Sequence, residues 1–178
     1  MVNLDLIKLA EEFARKKHEG QFRKNKSEPY VNHPLRVGEL VRKFKKSHKI
    51  EELISAAILH DTLEDTNTTI EELRENFGEL IASIVFELTS NPLEIEKLGK
   101  TKYLSDKLSS NEKVSNWALV IKLADRLDNV SDLVNCSDKN FVKRYKDETK
   151  EILKNLEQKR TLSETHKKLI KEIKKIIW

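Results

Sequence analysis

Apolar side chains recur at helical spacing along the whole chain, and very little interrupts them. Leu6, Ile7, Ala10, Phe13 and Ala14 set the pattern near the start. Four Gly and three Pro in 178 residues leave few places to turn a strand or stop a helix, and Leu, Ile, Glu and Lys are abundant. This predicts an all-α fold: one domain over residues 1–178, a bundle of about eight to ten helices. An ordinary domain of this length buries about 70% of the surface its unfolded chain exposes. The 36% of charged residues therefore read as solvated helix faces around a real core.

The breaks that do occur divide the chain. The first pattern stops near Gly20, before a polar loop from Glu19 to Glu28. Leu35, Val37, Leu40, Val41 and Phe44 continue as a second helix to about Ser47, and Ile50 to Leu63 form a third, strongly apolar one. Thr69 with Glu72 makes a capping box before a short helix ending near Gly78, and Leu80 to Leu88 follow as another, broken by Asn91-Pro92. Ser90 to Asn111 reads as a polar, mobile loop leading into a helix around Lys100 to Leu108. From Glu112 to about Val134 the pattern is apolar nearly all round, which describes a buried helix. Lys139 to Leu156 and Leu162 to Ile177 supply two more, the second capped by Thr161 with Glu164, and Trp178 docks the last helix on the bundle.

Several classes of function are excluded at this level. Cys136 is the single cysteine, so no internal disulfide forms, and no apolar run approaches the roughly 18 residues of a membrane span. Met1 to Lys17 reads as an amphipathic helix without a signal peptide's apolar region, and a cytoplasmic location is expected. The net charge is +4, but Lys and Arg alternate with Asp and Glu. A nucleic-acid partner, which needs clustered positive charge, is therefore not expected, whereas a small anionic substrate suits the balance. His18 reads as a helix-end residue, and His48 and His166 as exposed; oligomeric state is left open.

Chemistry enters through a conflict. His60-Asp61 follows Ile54, Ala56, Ala57, Ile58 and Leu59, and Asp125-Arg126 follows Val120, Ile121, Leu123 and Ala124. Ionisable groups thus interrupt the two most apolar helices, where an unpaired charge is costly to bury. A bound cation is one solution, because imidazole nitrogen and carboxylate oxygen suit manganese, iron or zinc. An Asp–Arg or Asp–His ion pair stapling two helices is another. Glu64 and Asp65 lie four residues beyond His60 and Asp61, on the same face if the helix continues, and no Lys or Arg stands between Leu53 and Ile70 to neutralise them. A metal with an adjacent acid/base accounts for all four. His33 opens a helix directly after a loop bearing Arg23, Lys24 and Lys26, a natural place to receive a phosphate.

Four stretches carry a family likeness: His18 to Lys24, Pro29 to Pro34, Ala57 to Asp65 and Lys122 to Asn129. Together, and in this order, they resemble the HD superfamily, and within it the small alarmone hydrolases similar to the hydrolase domain of RelA/SpoT-type proteins. The resemblance covers nearly the whole chain. It implies a metal site, usually manganese, made by His33, His60, Asp61 and Asp125, and cleavage of the 3′-pyrophosphate of (p)ppGpp. It implies that Glu64 and Asp65 are the catalytic carboxylates, that Arg23 packs on the base and Lys24 lies near the phosphates, and that Asn129 contacts the nucleotide; Tyr145 matches a substrate-side tyrosine more loosely.

The departures fall on the substrate side. No glycine stands between Lys24 and Pro29, Ser131 occupies a position where many relatives carry arginine, and Phe141 one where some carry a basic residue. Two other readings stay open on that account: an HD phosphohydrolase acting on another nucleotide, such as a ppApp-type alarmone, a nucleoside monophosphate or NADPH, and a non-catalytic nucleotide-binding module.

Overall fold

The structure is a computed structural model that describes residues 4–23 and 28–178. Among the described residues the fold is all-α, with ten α-helices, one short 3-10 turn and no strand; Phe22 and Pro29 make an isolated antiparallel bridge. The helices gather in two compact units, Met1–Thr89 and Ser90–Trp178. No helix of the described residues is long and apolar enough to cross a membrane.

The first unit holds α1 (Leu4–Lys17), α2 (Asn32–Phe44), α3 (Ile50–Leu59), α4 (Thr62–Asp65) and α5 (Ile70–Leu88). α3 is the most apolar of these, and its residues from Leu53 to Leu59 are all buried among α1, α2 and α5. Close approach of α2 depends on Gly38, where a β-carbon would come within 3.0 Å of Ile58 Cγ1. The break expected near Gly78 is present: its φ of 80° makes α5 two short helices laid end to end. Thr69 caps the first of them through the amide of Glu72.

The second unit holds α6 (Pro92–Leu98), α7 (Lys100–Ser109), α8 (Asn116–Asp132), the 3-10 turn Leu133–Asn135, α9 (Lys139–Lys159) and α10 (Glu164–Ile177). α8 is the buried helix that the pattern predicts, packed against α10 and α9. The stretch read as a loop from Ser90 is instead helical from Pro92. Asn91 caps it by accepting from the amides of Leu93 and Glu94, and proline fits the first helical position because its missing N–H needs no partner there. α10 is capped by Ser163, not Thr161, and the reciprocal partner is His166. His166 is therefore buried rather than exposed, and its Nε2 lies 2.9 Å from the carbonyl of Asn116. Trp178 does not dock: it stays 70% exposed, with the ammonium groups of Lys150 and Lys174 over its ring at 5.5 and 5.6 Å.

Candidate metal centre

In the first unit, α3 stops at Leu59 instead of running to Leu63. Thr62 Oγ1 donates to the Leu59 carbonyl at 2.7 Å and takes over the end of the helix. His60 and Asp61 form the corner, and Asp61 starts a new turn by accepting from the amides of Glu64 and Asp65 at 3.2 and 2.9 Å. Asp65 thus lies near Asp61, but through a separate turn and not through continuation of α3. Glu64 and Asp65 are both exposed.

His33, in the first turn of α2, is 2% exposed, as is His60. Their rings meet edge to face at 5.4 Å between centroids. His60 Nε2 is 3.1 Å from Asp61 Oδ1, and His33 Nε2 is 3.7 Å from Asp61 Oδ2. His60 Nδ1 lies 2.7 Å from the Ala57 carbonyl, to which it donates, so Nε2 is the ring nitrogen on the Asp61 side that could serve as a ligand. One ligand atom from each of the three residues falls within 4.8 Å of the others. Ligands at about 2.0–2.2 Å from one ion stand at most roughly 4.4 Å apart, so a small contraction closes the set. Two neutral imidazoles and a carboxylate fit a divalent metal.

Tyr30 completes this neighbourhood, and the sequence alone assigns it no role. Its hydroxyl is 2.7 Å from Asp61 Oδ2 and 3.1 Å from Asp65 Oδ2. Burial, then the Asp61 and Asp65 charges, pushes its ionisation well above the usual phenol range, so it stays a proton donor. The Asp65 carboxyl is itself raised, first by partial desolvation and next by the Asp61 charge, against the hydrogen bond from Tyr30.

Arg23 is half-buried in the first unit, and Lys24 lies outside the described residues. Asp125 and Asn129 are together on α8 in the second unit, Asn129 Nδ2 donating to Asp125 Oδ1, while Lys122 Nζ sits 2.8 Å from Asp125 Oδ2. Arg126 turns to α9, donates to Glu148 at 2.7 Å and to Thr149 at 3.2 Å, and lies 4.8 Å from the Tyr145 ring centroid. Burial pushes the Tyr145 phenol up to about 12, with Arg126 pulling the other way.

Among the described residues, an all-helical fold with two buried histidines, a partly buried aspartate and the adjoining carboxylate falls in a recognisable class, and the sequence matches the HD domain family over residues 10–161. The chain belongs to the HD domain family of hydrolases. Among its relatives, a guanosine-3′,5′-bis(diphosphate) 3′-pyrophosphohydrolase of Aquifex aeolicus is 43% identical over 71% of this chain, which spans 18% of that longer protein. The guanosine-3′,5′-bis(diphosphate) 3′-pyrophosphohydrolase MESH1 of Xenopus tropicalis is 36% identical over 85% of this chain and 84% of its own length, and that of Homo sapiens 32% over 92% of each. The solved structure of a metazoan ortholog of SpoT that hydrolyzes ppGpp superposes with a TM-score of 0.79, covering 96% of this chain and 94% of that one at 28% identity.

Proposed function

We propose that this chain is a manganese-dependent hydrolase that removes the 3′-pyrophosphate of (p)ppGpp, giving GDP or GTP and pyrophosphate. The observation that carries this reading is the His33–His60–Asp61 group, its two histidines buried, with Asp61 and Asp65 tied to one phenol. It stands in a chain aligned over most of its length with proteins of that named activity. His33, His60 and Asp61 would hold the ion, with Asp125 as a fourth ligand on the strength of its sequence motif. When bound, the ion supplies Lewis acidity toward a phosphoryl group.

The remaining work belongs to side chains. The raised Asp65 carboxyl is closer than an ordinary aspartate to the range in which a carboxylate accepts a proton near neutral pH, so Asp65 takes a proton from the attacking water. Glu64 beside it orients that water. The water oxygen bonds to phosphorus as the bond from phosphorus to the ribose 3′ oxygen breaks, and that oxygen takes a proton from solvent while Asp65 returns its own to solvent. Arg23 stacks on the base, Lys24 and Asn129 meet the polar parts of the nucleotide, and Tyr145 adds a neutral hydroxyl on the substrate side.

Incubation of manganese-loaded protein with ppGpp, pppGpp, ppApp, NADPH and ordinary nucleoside phosphates, with every product identified, tests the reading. Pyrophosphate and GDP from ppGpp are expected. Ser131 Oγ is engaged by the Leu127 carbonyl at 2.8 Å and leaves no charge at that position, which is why the adenine compounds belong in the panel. Turnover of another compound in place of ppGpp, or of none, contradicts the proposal.

A further inference from the structure

Asp61 and Asp65 are held one turn apart by the 2.9 Å hydrogen bond from the Asp65 amide to the Asp61 carbonyl. Nothing in that backbone contact keeps their carboxylates from splaying, and like charges at this spacing repel. The Tyr30 hydroxyl stands between the two side chains, 2.7 Å from one Oδ2 and 3.1 Å from the other. A phenol has one proton to give, so it forks between them and favours the nearer, Asp61. It approaches the same Asp61 oxygen that lies 3.7 Å from His33 Nε2 and leaves Oδ1 to the His60 side.

Tyr30 is itself gripped. Its ring lies against the ring of His18, tilted by 37° with the centroids 5.0 Å apart, and His18 is buried at the end of α1. Its amide donates to the Gln21 carbonyl at 2.8 Å. The Gln21 side chain works in two directions: Oε1 is 2.8 Å from His18 Nδ1, and Nε2 donates to the Asp65 carbonyl at 2.9 Å. A single short segment therefore fixes the phenol and also the backbone of the turn that bears Asp65. A phenol that served packing alone would not need its hydroxyl placed within reach of both carboxylates.

The geometry points to Tyr30, backed by His18 and Gln21, as a positioning residue that sets the distance between the metal-holding Asp61 and the proton-accepting Asp65. This rests on the metal-hydrolase reading above. Orienting partners of this kind change metal affinity or turnover by about 10–100-fold when removed. Tyr30→Phe keeps the ring on His18 and deletes only the hydroxyl.

The test compares wild type with Tyr30→Phe by Mn2+ calorimetry and by kcat and KM for ppGpp at saturating Mn2+. The variant is expected to bind Mn2+ about 10–100-fold more weakly and to lose kcat by a similar factor, with KM within about threefold of wild type. Mn2+ affinity and kcat both within twofold of a working wild type overturn the positioning role and leave the hydrolase reading intact. A wild type that neither binds Mn2+ nor turns over ppGpp overturns the hydrolase reading and this inference with it. Should Tyr30→Phe not fold, Gln21→Ala carries the test, since it frees the Asp65 carbonyl and spares the phenol: lower kcat at unchanged Mn2+ affinity supports the inference, and unchanged kcat overturns it.

Discussion

Asp65 sits beside a second carboxylate with one phenol between them, and in metal-free protein that arrangement has an energetic sign. Its carboxyl ionises above the ordinary range, so folding with Asp65 charged costs free energy. Below the ordinary carboxylate range the group is protonated both folded and unfolded, and the cost is absent; it grows as pH rises through the raised value. Asp65→Asn should therefore melt higher than wild type in metal-free buffer at about pH 7, with the difference gone below about pH 3. Solvent exposure of Asp65 keeps the gain to a few degrees. A variant that melts lower than wild type at neutral pH contradicts this sign. His60 and Asp61 were legible in the sequence because they interrupt an apolar run. Helical spacing brings Asp65 near them only if α3 continues, whereas α3 ends at Leu59 and a new turn from Asp61 does so instead. The role of Tyr30 is not legible in the sequence, because its partner lies 31 residues along the chain and an aromatic residue gives no local sign of where its hydroxyl points.

At the level of elements, apolar spacing located α1, α2, α5, α8, α9 and α10 well, since burying one face of a helix writes a 3.6-residue period into the sequence. The ends were less legible. Asn91-Pro92 breaks one helix and starts the next, and either meaning is compatible with the pair until the amides it caps are known. Long-range hydrogen bonds leave no local pattern at all, and Arg160 is the clearest case. Its guanidinium is buried just past α9 and donates to the carbonyls of Leu108, Ser110 and Val114 and to Asn116 Oδ1, at 2.9, 3.4, 2.7 and 3.1 Å. It thereby ties down the turn between α7 and α8. Arg160→Leu strands these acceptors, each worth about 1–3 kcal/mol when buried and unpaired, so urea unfolding should show a loss of at least about 2 kcal/mol. Arg160→Lys should recover only part of it, because an ammonium lacks the planar fork. A loss under about 0.5 kcal/mol for Arg160→Leu would place the hold on that turn elsewhere.

For the whole molecule, the all-α class followed from scarce breakers and continuous amphipathicity, and the HD family match agrees with it. The division at Thr89 and Ser90 was not legible, since no Pro-, Gly- or Ser-rich linker marks it. Three of the four assigned ligands belong to the first unit, and Asp125 belongs to the second, where its motif carries the assignment. In the proposed hydrolase one set of residues would hold the metal and another would handle the proton. Metal content and ppGpp turnover, measured on the same preparations of wild type, Asp61→Ala and Asp65→Asn, test it most directly. Wild type should carry a divalent metal and release pyrophosphate, Asp61→Ala should lack both, and Asp65→Asn should keep the metal while kcat falls about 10²–10⁴-fold. An Asp61→Ala protein that retains its metal and the wild-type rate would contradict the account.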